Sequence, residues 1–182
     1  MTDAVPVVAI DGPSGSGKGT ISRQIADQLG WHLLDSGALY RLVALAGRRL
    51  GLADDDVAGH AVLATSMPVR FGSTPDGHEQ VLLGPDWQDV TQLIRSETAG
   101  MGASRVAAWP AVRTALMTRQ RAFAAPPGLV ADGRDMGTVV VTDAALKIYL
   151  TTTAHVRAER RAGQVARQRL LAGELARQHH AA

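Results

Sequence analysis

An α/β protein built on a parallel sheet is the fold class this sequence predicts, and three observations predict it. Short apolar runs rich in β-branched residues alternate with helical patterns. The first run, Val5–Ile10, leads straight into a glycine-rich turn that opens a helix. Acidic residues stand at the ends of this run and of two later ones, at Asp11, Asp35 and Asp132. Sheets of this kind collect their ligands at the carboxyl ends of their strands.

Taken in order, Val5–Ile10 reads as a buried strand. Lys18–Leu29 follows as a helix, with Ile21, Ile25 and Leu29 four apart on one face and Gly30 positioned to end it. Trp31–Leu34 is a second strand, in which His32 is expected to be a partly buried core residue. Asp35 and Ser36 can cap a helix over Ala38–Leu50, and Asp54–Asp56 suit the start of another, running to about Ala64. The register then changes. Met67–Gly72, Glu79–Gly84 and Trp87–Val90 read as short strands, with Pro75-Asp76-Gly77 turning the first pair. The segment 67–90 is therefore a β-rich insertion in a core formed by 1–66 and 91–182. Arg95–Ala108 and Val112–Ala124 are helical, Pro110 sitting well in a first turn. Pro126-Pro127-Gly128 breaks the chain before strands at Leu129–Ala131 and Leu146–Leu150, and from Ala154 to about 178 the pattern is helical.

The 182 residues suffice for one domain with a small insertion. Aromatic residues are only 4%, so Ala, Val, Leu and Ile must build the core. The absence of cysteine excludes disulfides, thiol catalysis and thiolate metal sites. No run approaches the roughly 20 apolar residues of a membrane helix, and the N-terminus lacks the features of a signal peptide, so a soluble cytoplasmic protein is expected. Residues 1–91 carry 6 basic and 11 acidic side chains, whereas 92–182 carry 13 and 6. A basic half can serve nucleic acid or a small polyanion. No aromatic residues interleave with the basic ones, which argues against a single-strand surface.

Gly12-Pro13-Ser14-Gly15-Ser16-Gly17-Lys18-Gly19-Thr20 has the spacing G-x-x-x-x-G-K between a strand and a helix. Glycines let the backbone turn left-handed and approach phosphate oxygens; successive N–H groups and the helix N-terminus then face the anion. Lys18 adds a charge at the β- and γ-phosphates of a nucleoside triphosphate. Gly19 stands where the general pattern has Ser or Thr. The hydroxyl for Mg²⁺ is then Thr20, one position later, or the metal is held through water. Arg41, one turn inside its helix, can fork onto a second phosphate. Asp132, at a strand end beside the loop, can hold Mg²⁺ or its waters, and Arg134 and Asp135 can serve a phosphate and a base. Arg157, Arg160 and Arg161 share a helix face that could close over a transferring phosphoryl group.

These motifs together resemble the bacterial cytidylate kinases. The resemblance rests on Ile10–Thr20, on Leu33–Arg41, on Ala103–Ala107 followed by Arg113, and on Ala131–Val140, and it runs from about Val5 to Arg161. It implies a three-layer P-loop kinase fold with a monophosphate-binding insert at 67–90 and a helical lid. It also implies ATP with Mg²⁺ as donor and CMP or dCMP as acceptor. By position, Gly15, Gly17, Lys18, Gly19 and Thr20 would bind the triphosphate, and Ser36, Arg113 and Asp135 would read the cytosine. Arg41 and Arg134 would hold the acceptor phosphate, Ser104 would lie near the ribose, and Arg157, Arg160 and Arg161 would sit in the lid. The family continues after the lid helix with an Arg-Asp-x-x-Asp-x-x-Arg stretch, a strand and a helix. This chain has Gln164–Ala182 there, with no aspartate after Asp143. Four core parallel strands are expected, the final strand and helix missing. Two readings follow, an active CMP kinase or a nucleotide-binding remnant of weak or no activity. No nucleic-acid or membrane partner is expected, and a monomer is, unless an uncovered sheet edge pairs.

Overall fold

Alternation of side chains along the central strands divides the molecule into layers. A computed structural model describes residues 5–160, 162, 163 and 166. Strands β1 (Val7–Asp11), β2 (His32–Asp35), β6 (Leu129–Gly133) and β7 (Leu146–Tyr149) form one parallel sheet in the order β2-β6-β1-β7, β3 to β5 lying elsewhere. On one face Val8, Ile10 and Val130 pack against Ala26 and Ile25 of helix α1 (Lys18–Leu29). On the other, Val7, Ala9, Leu129 and Ala131 join a larger core. That core takes Leu39 and Leu42 from α2 (Ser36–Arg49), Ala64 from α3 (Val57–Ser66) and Leu116 from α6 (Pro110–Ala122). The expected three-layer α/β arrangement is present, and its described parallel sheet has four strands. The expected absence of a final strand and helix falls outside the described residues, as does the lid helix beyond residue 166.

Local signals set the helix ends. Gly30 ends α1 at φ 64°, in the left-handed region, and the Asp35 carboxylate caps α2 by accepting from Ala38 N at 2.8 Å. Asp56 caps α3 through Gly59 N at 2.8 Å.

Residues 69–89 fold apart from the parallel sheet. Strands β3 (Val69–Ser73), β4 (Glu79–Leu83) and β5 (Gln88–Asp89) form a three-stranded antiparallel sheet in that order. Its exit is welded to α4 (Thr91–Arg95). Thr91 Oγ1 accepts from Val81 N at 2.8 Å and donates to Asp89 Oδ1 at 2.6 Å.

Two expectations need correction. Arg95–Ala108 is two helices: Ser96 is extended (φ −61°, ψ 158°), and its Oγ accepts from Ala99 N to cap α5 (Glu97–Ala107). A side-chain oxygen that satisfies an N-terminal N–H starts a new helix, so α4 ends at Arg95. His32 is exposed rather than partly buried, because it opens β2 at the border of the described sheet. Its Nε2 lies 3.0 Å from Pro126 O.

Candidate active site

The glycine-rich turn sits between β1 and α1, as the spacing requires. Gly15 (φ 80°) and Gly17 (φ 96°) are left-handed, and Gly17 is the residue from which α1 starts. Gly12 packs so closely on the Leu150 carbonyl that a Cβ would collide with it, and its N–H donates to Gly133 O at 3.3 Å. Pro13 is half-buried and Ser14 exposed; Ser16 Oγ is enclosed without a hydrogen-bond partner among the described residues. Lys18 Nζ lies 3.5 Å from Asp132 Oδ1. A Cβ on Gly19 would stand 3.2 Å from Asp132 Oδ2. A side chain at residue 19 would press on that carboxylate, which would have to give by a few tenths of an ångström. Thr20 is exposed on the first turn of α1.

Parallel pairing of β2 with β6 sets Asp35 opposite Asp132 in register. The two carboxylates diverge in character. Burial, then the neighbouring Asp35 charge, pushes the Asp132 carboxyl up to about 7, against the pull of Lys18. Burial would raise Asp35 too, but the Arg95 guanidinium outweighs it and holds that carboxyl below its ordinary value. Arg95 Nη2 donates to Asp35 Oδ2 at 2.7 Å, Nε donates to Glu79 Oε2 at 3.1 Å, and Nη2 also pairs closely with Glu79 Oε1. Among the described residues no three His, Cys, Asp or Glu side chains gather as a metal cage. Asp132 beside the loop fits a hard cation that takes most of its ligands from phosphate oxygens and water, as Mg²⁺ does.

The residues expected to serve the acceptor fall into small groups, of which Ser36 lies at the end of β6. A Cβ on Gly133 would meet Ser36 Oγ at 2.8 Å, so the head of α2 touches the turn that carries Arg134 and Asp135. Both of those are exposed. Tyr40 is pushed up by burial and then by the Asp135 charge, with Arg113 opposing, so both charges are felt at its phenol. Arg113 Nη1 donates to Ala107 O at 3.2 Å. Arg41 Nη1 donates to Ile94 O at 2.7 Å and to Ser96 O at 3.4 Å. Its guanidinium overlies Gly100, whose carbonyl accepts from Ser104 Oγ at 3.1 Å. Residues 154–160, expected to start the lid, are helical, and Arg157 lies close to Gly15 of the loop. Arg160 Nη1 donates to Ser16 O at 2.9 Å and to Gly15 O at 3.3 Å, while Arg157 Nη1 donates to Thr152 O at 2.7 Å. Arg161 falls outside the described residues.

Two residues of the site escaped the sequence reading. One is Arg95, which no motif marks. The other is Asp11, 7% exposed, whose carboxylate accepts from Met136 N at 2.8 Å and Gly137 N at 2.9 Å. It thereby anchors the π-helical turn Met136–Val140 that follows Asp135. An aspartate closing an apolar strand was the available signal, since a buried carboxylate needs donors.

A family model described as cytidylate kinase matches residues 8–177. The cytidylate kinase of Stutzerimonas stutzeri (strain A1501) is 57% identical over 161 residues, 88% of this chain and 70% of the relative. That of Marinomonas sp. (strain MWYL1) is 53% identical over 165 residues, covering 91% and 72%. That of Pseudomonas aeruginosa (strain LESB58) is 55% identical over 161 residues, covering 88% and 70%. No helix among the described residues is long and apolar enough to cross a membrane.

Proposed function

The chain belongs to the cytidylate kinase family, and on that premise we propose that it transfers the γ-phosphoryl group of ATP directly to CMP or dCMP, giving ADP and CDP or dCDP. One observation carries the reading. A single strand end serves two partners, Asp132 meeting Lys18 of the loop and Gly133 meeting Ser36 of α2. Donor and acceptor sites therefore adjoin across one residue, as direct transfer demands.

In this reading the loop Gly12–Thr20 wraps the triphosphate, with backbone N–H groups as donors and Lys18 at the β- and γ-phosphates. Asp132 would hold Mg²⁺, directly or through water, with Thr20 as the further candidate. The ion, when bound, would offset charge on the phosphate oxygens. Ser36, Arg113 and Asp135 read the cytosine, whose exocyclic amine needs an acceptor and whose ring needs donors. Arg41 and Arg134 hold the acceptor phosphate, and Ser104 lies by the ribose. The Ile94 and Ser96 carbonyls, already bonded to Arg41, support a pre-aimed guanidinium. A phosphate oxygen of CMP bonds to the γ-phosphorus as the bond to the β–γ bridging oxygen breaks, and the electron pair leaves with ADP. Arg157, Arg160 and Arg161 stabilise the charge spread over the transferring group. Arg160 would exchange its loop carbonyls for phosphate oxygens as the lid closes. No covalent enzyme intermediate is needed. The insert 67–90 forms the acceptor-side wall.

The test is ADP release by the purified chain with ATP and Mg²⁺, offering CMP, dCMP, UMP and AMP separately, with Lys18→Ala as control. Turnover on CMP and dCMP that the control lacks is the expected result. No turnover from a folded sample that binds ATP would make the nucleotide-binding remnant the better reading.

A further inference from the structure

The segment 94–96 does two jobs within three residues. Its backbone carbonyls, Ile94 O and Ser96 O, receive Arg41 Nη1. Its side chain at Arg95 reaches Asp35 in one direction and Glu79 in the other. Asp35 is the cap of α2, the helix that carries both Ser36 and Arg41. Glu79 opens β4 of the antiparallel sheet, and Thr91 joins that strand to α4, whose last residue is Arg95. The guanidinium is about a third exposed and the two carboxylates less so. Burial works against its charge, but the two acids hold it firmly protonated.

We propose that Arg95 is a positioning residue for the acceptor nucleotide: by tying Asp35 at the head of α2 to Glu79 of the insert, it sets the relative placement of Ser36, Arg41 and the acceptor-side wall. A charge-assisted fork is suited to this, because a planar guanidinium fixes both distance and orientation between two carboxylates. Truncation would leave Asp35 and Glu79 facing each other without their shared cation. The α2 cap would weaken, the 94–96 turn would lose its anchor, and Arg41 would lose its aim. The donor loop lies on the other side of β6 and keeps its own Lys18–Asp132 pair, so it would be disturbed less, although the Arg95 charge reaches Asp132 as well. The inference rests on the reading of 36–41 as an acceptor site, and the test separates the two.

The experiment compares wild type with Arg95→Met, Arg95→Lys, Glu79→Gln and the Arg95→Met/Glu79→Gln double variant, in steady-state kinetics and in amide hydrogen exchange without ligand. Expected is a rise of about 20-fold in KM for CMP in Arg95→Met, with KM for ATP moving less than about threefold. Arg95→Lys should recover most of that loss. Glu79→Gln should cost about threefold alone and nothing further in the Arg95→Met background, since both act through one bond network. An unchanged KM for CMP in Arg95→Met, or equal losses for ATP and CMP, overturns the proposal. Should Arg95→Met fail to fold, Arg95→Lys and Glu79→Gln decide: wild-type KM for CMP in both overturns it. Absence of CMP turnover in the wild type is the failure of the functional reading instead. Exchange then judges Arg95: faster exchange at residues 79–83 and 36–39 in Arg95→Met, slowed again in Arg95→Lys, supports the tie, and wild-type exchange overturns it.

Discussion

The loop at 12–20 and the cleft around the end of β6 are built on opposite plans. The loop is nine consecutive residues with left-handed glycines and one lysine, and the role proposed for it lies in the backbone. The cleft draws single side chains from α2, α5, α6 and the turn after β6, spread over about 100 residues of sequence. Arg41 among them is held by neighbours that are themselves remote, Ile94 and Ser96. Contiguous construction makes a site robust to what surrounds it. Dispersed construction lets distant packing tune it, and lets distant packing spoil it.

Substitutions can break or sharpen this contrast. The largest effect belongs to Lys18→Ala, expected to lower kcat/KM by about a thousandfold or more through lost charge at the triphosphate. Its unfolding midpoint in urea should stay near wild type, because Lys18 makes one 3.5 Å ion pair and no core contact of note; a chain that unfolds would show the loop to be less self-contained than described. Next is Arg134→Ala, an exposed residue at the cleft. It should weaken productive CMP binding by about 30-fold while leaving ATP binding within about threefold, as separate titrations of the two ligands would read. Parallel losses would erase the distinction between the two regions. The smallest effect concerns stability. The Asp132 carboxyl titrates near 7 in the folded, ligand-free chain and near 3.8 when unfolded, so the folded state binds the extra proton between those values. This group therefore costs stability progressively as pH rises from about 4 to about 7. The loss over that span is on the order of 3 kcal/mol, and Asp132→Asn should flatten that part of the profile in urea melts between pH 5 and 8. An identical slope in both proteins would mean that Lys18 compensates Asp132 fully.

The same contrast explains what could be read from the chain before its structure. Lys18–Leu29 matches α1 residue for residue, and Gly17 and Gly30 bound it for reasons that are local. The antiparallel strands at 69–89 were legible from turn residues and alternation. The candidate cleft was legible chiefly through family resemblance, because spacing alone does not say that Ser36 abuts Gly133 or that Arg41 overlies Gly100. Arg95 was invisible for the same reason: its partners are 60 and 16 residues away. The break at Ser96 was missed although Ser followed by Glu97 is a helix-start signal, because apolar periodicity continues across it.

The clasp of Asp11 on the Met136 and Gly137 amides bears on how the two nucleotides sense each other. Asp11 immediately precedes the loop, and Asp135 immediately precedes the amides it grips. Whatever displaces one of these segments strains the other through a buried, charge-assisted joint. Free energy that an occupant of the cleft invests in moving the turn must then reappear in the affinity of the loop for its own occupant. Linkage requires that influence to be reciprocal, by the same factor in both directions. On the proposed reading, synergy between the substrates would run through a carboxylate that belongs to neither set of assigned binding residues.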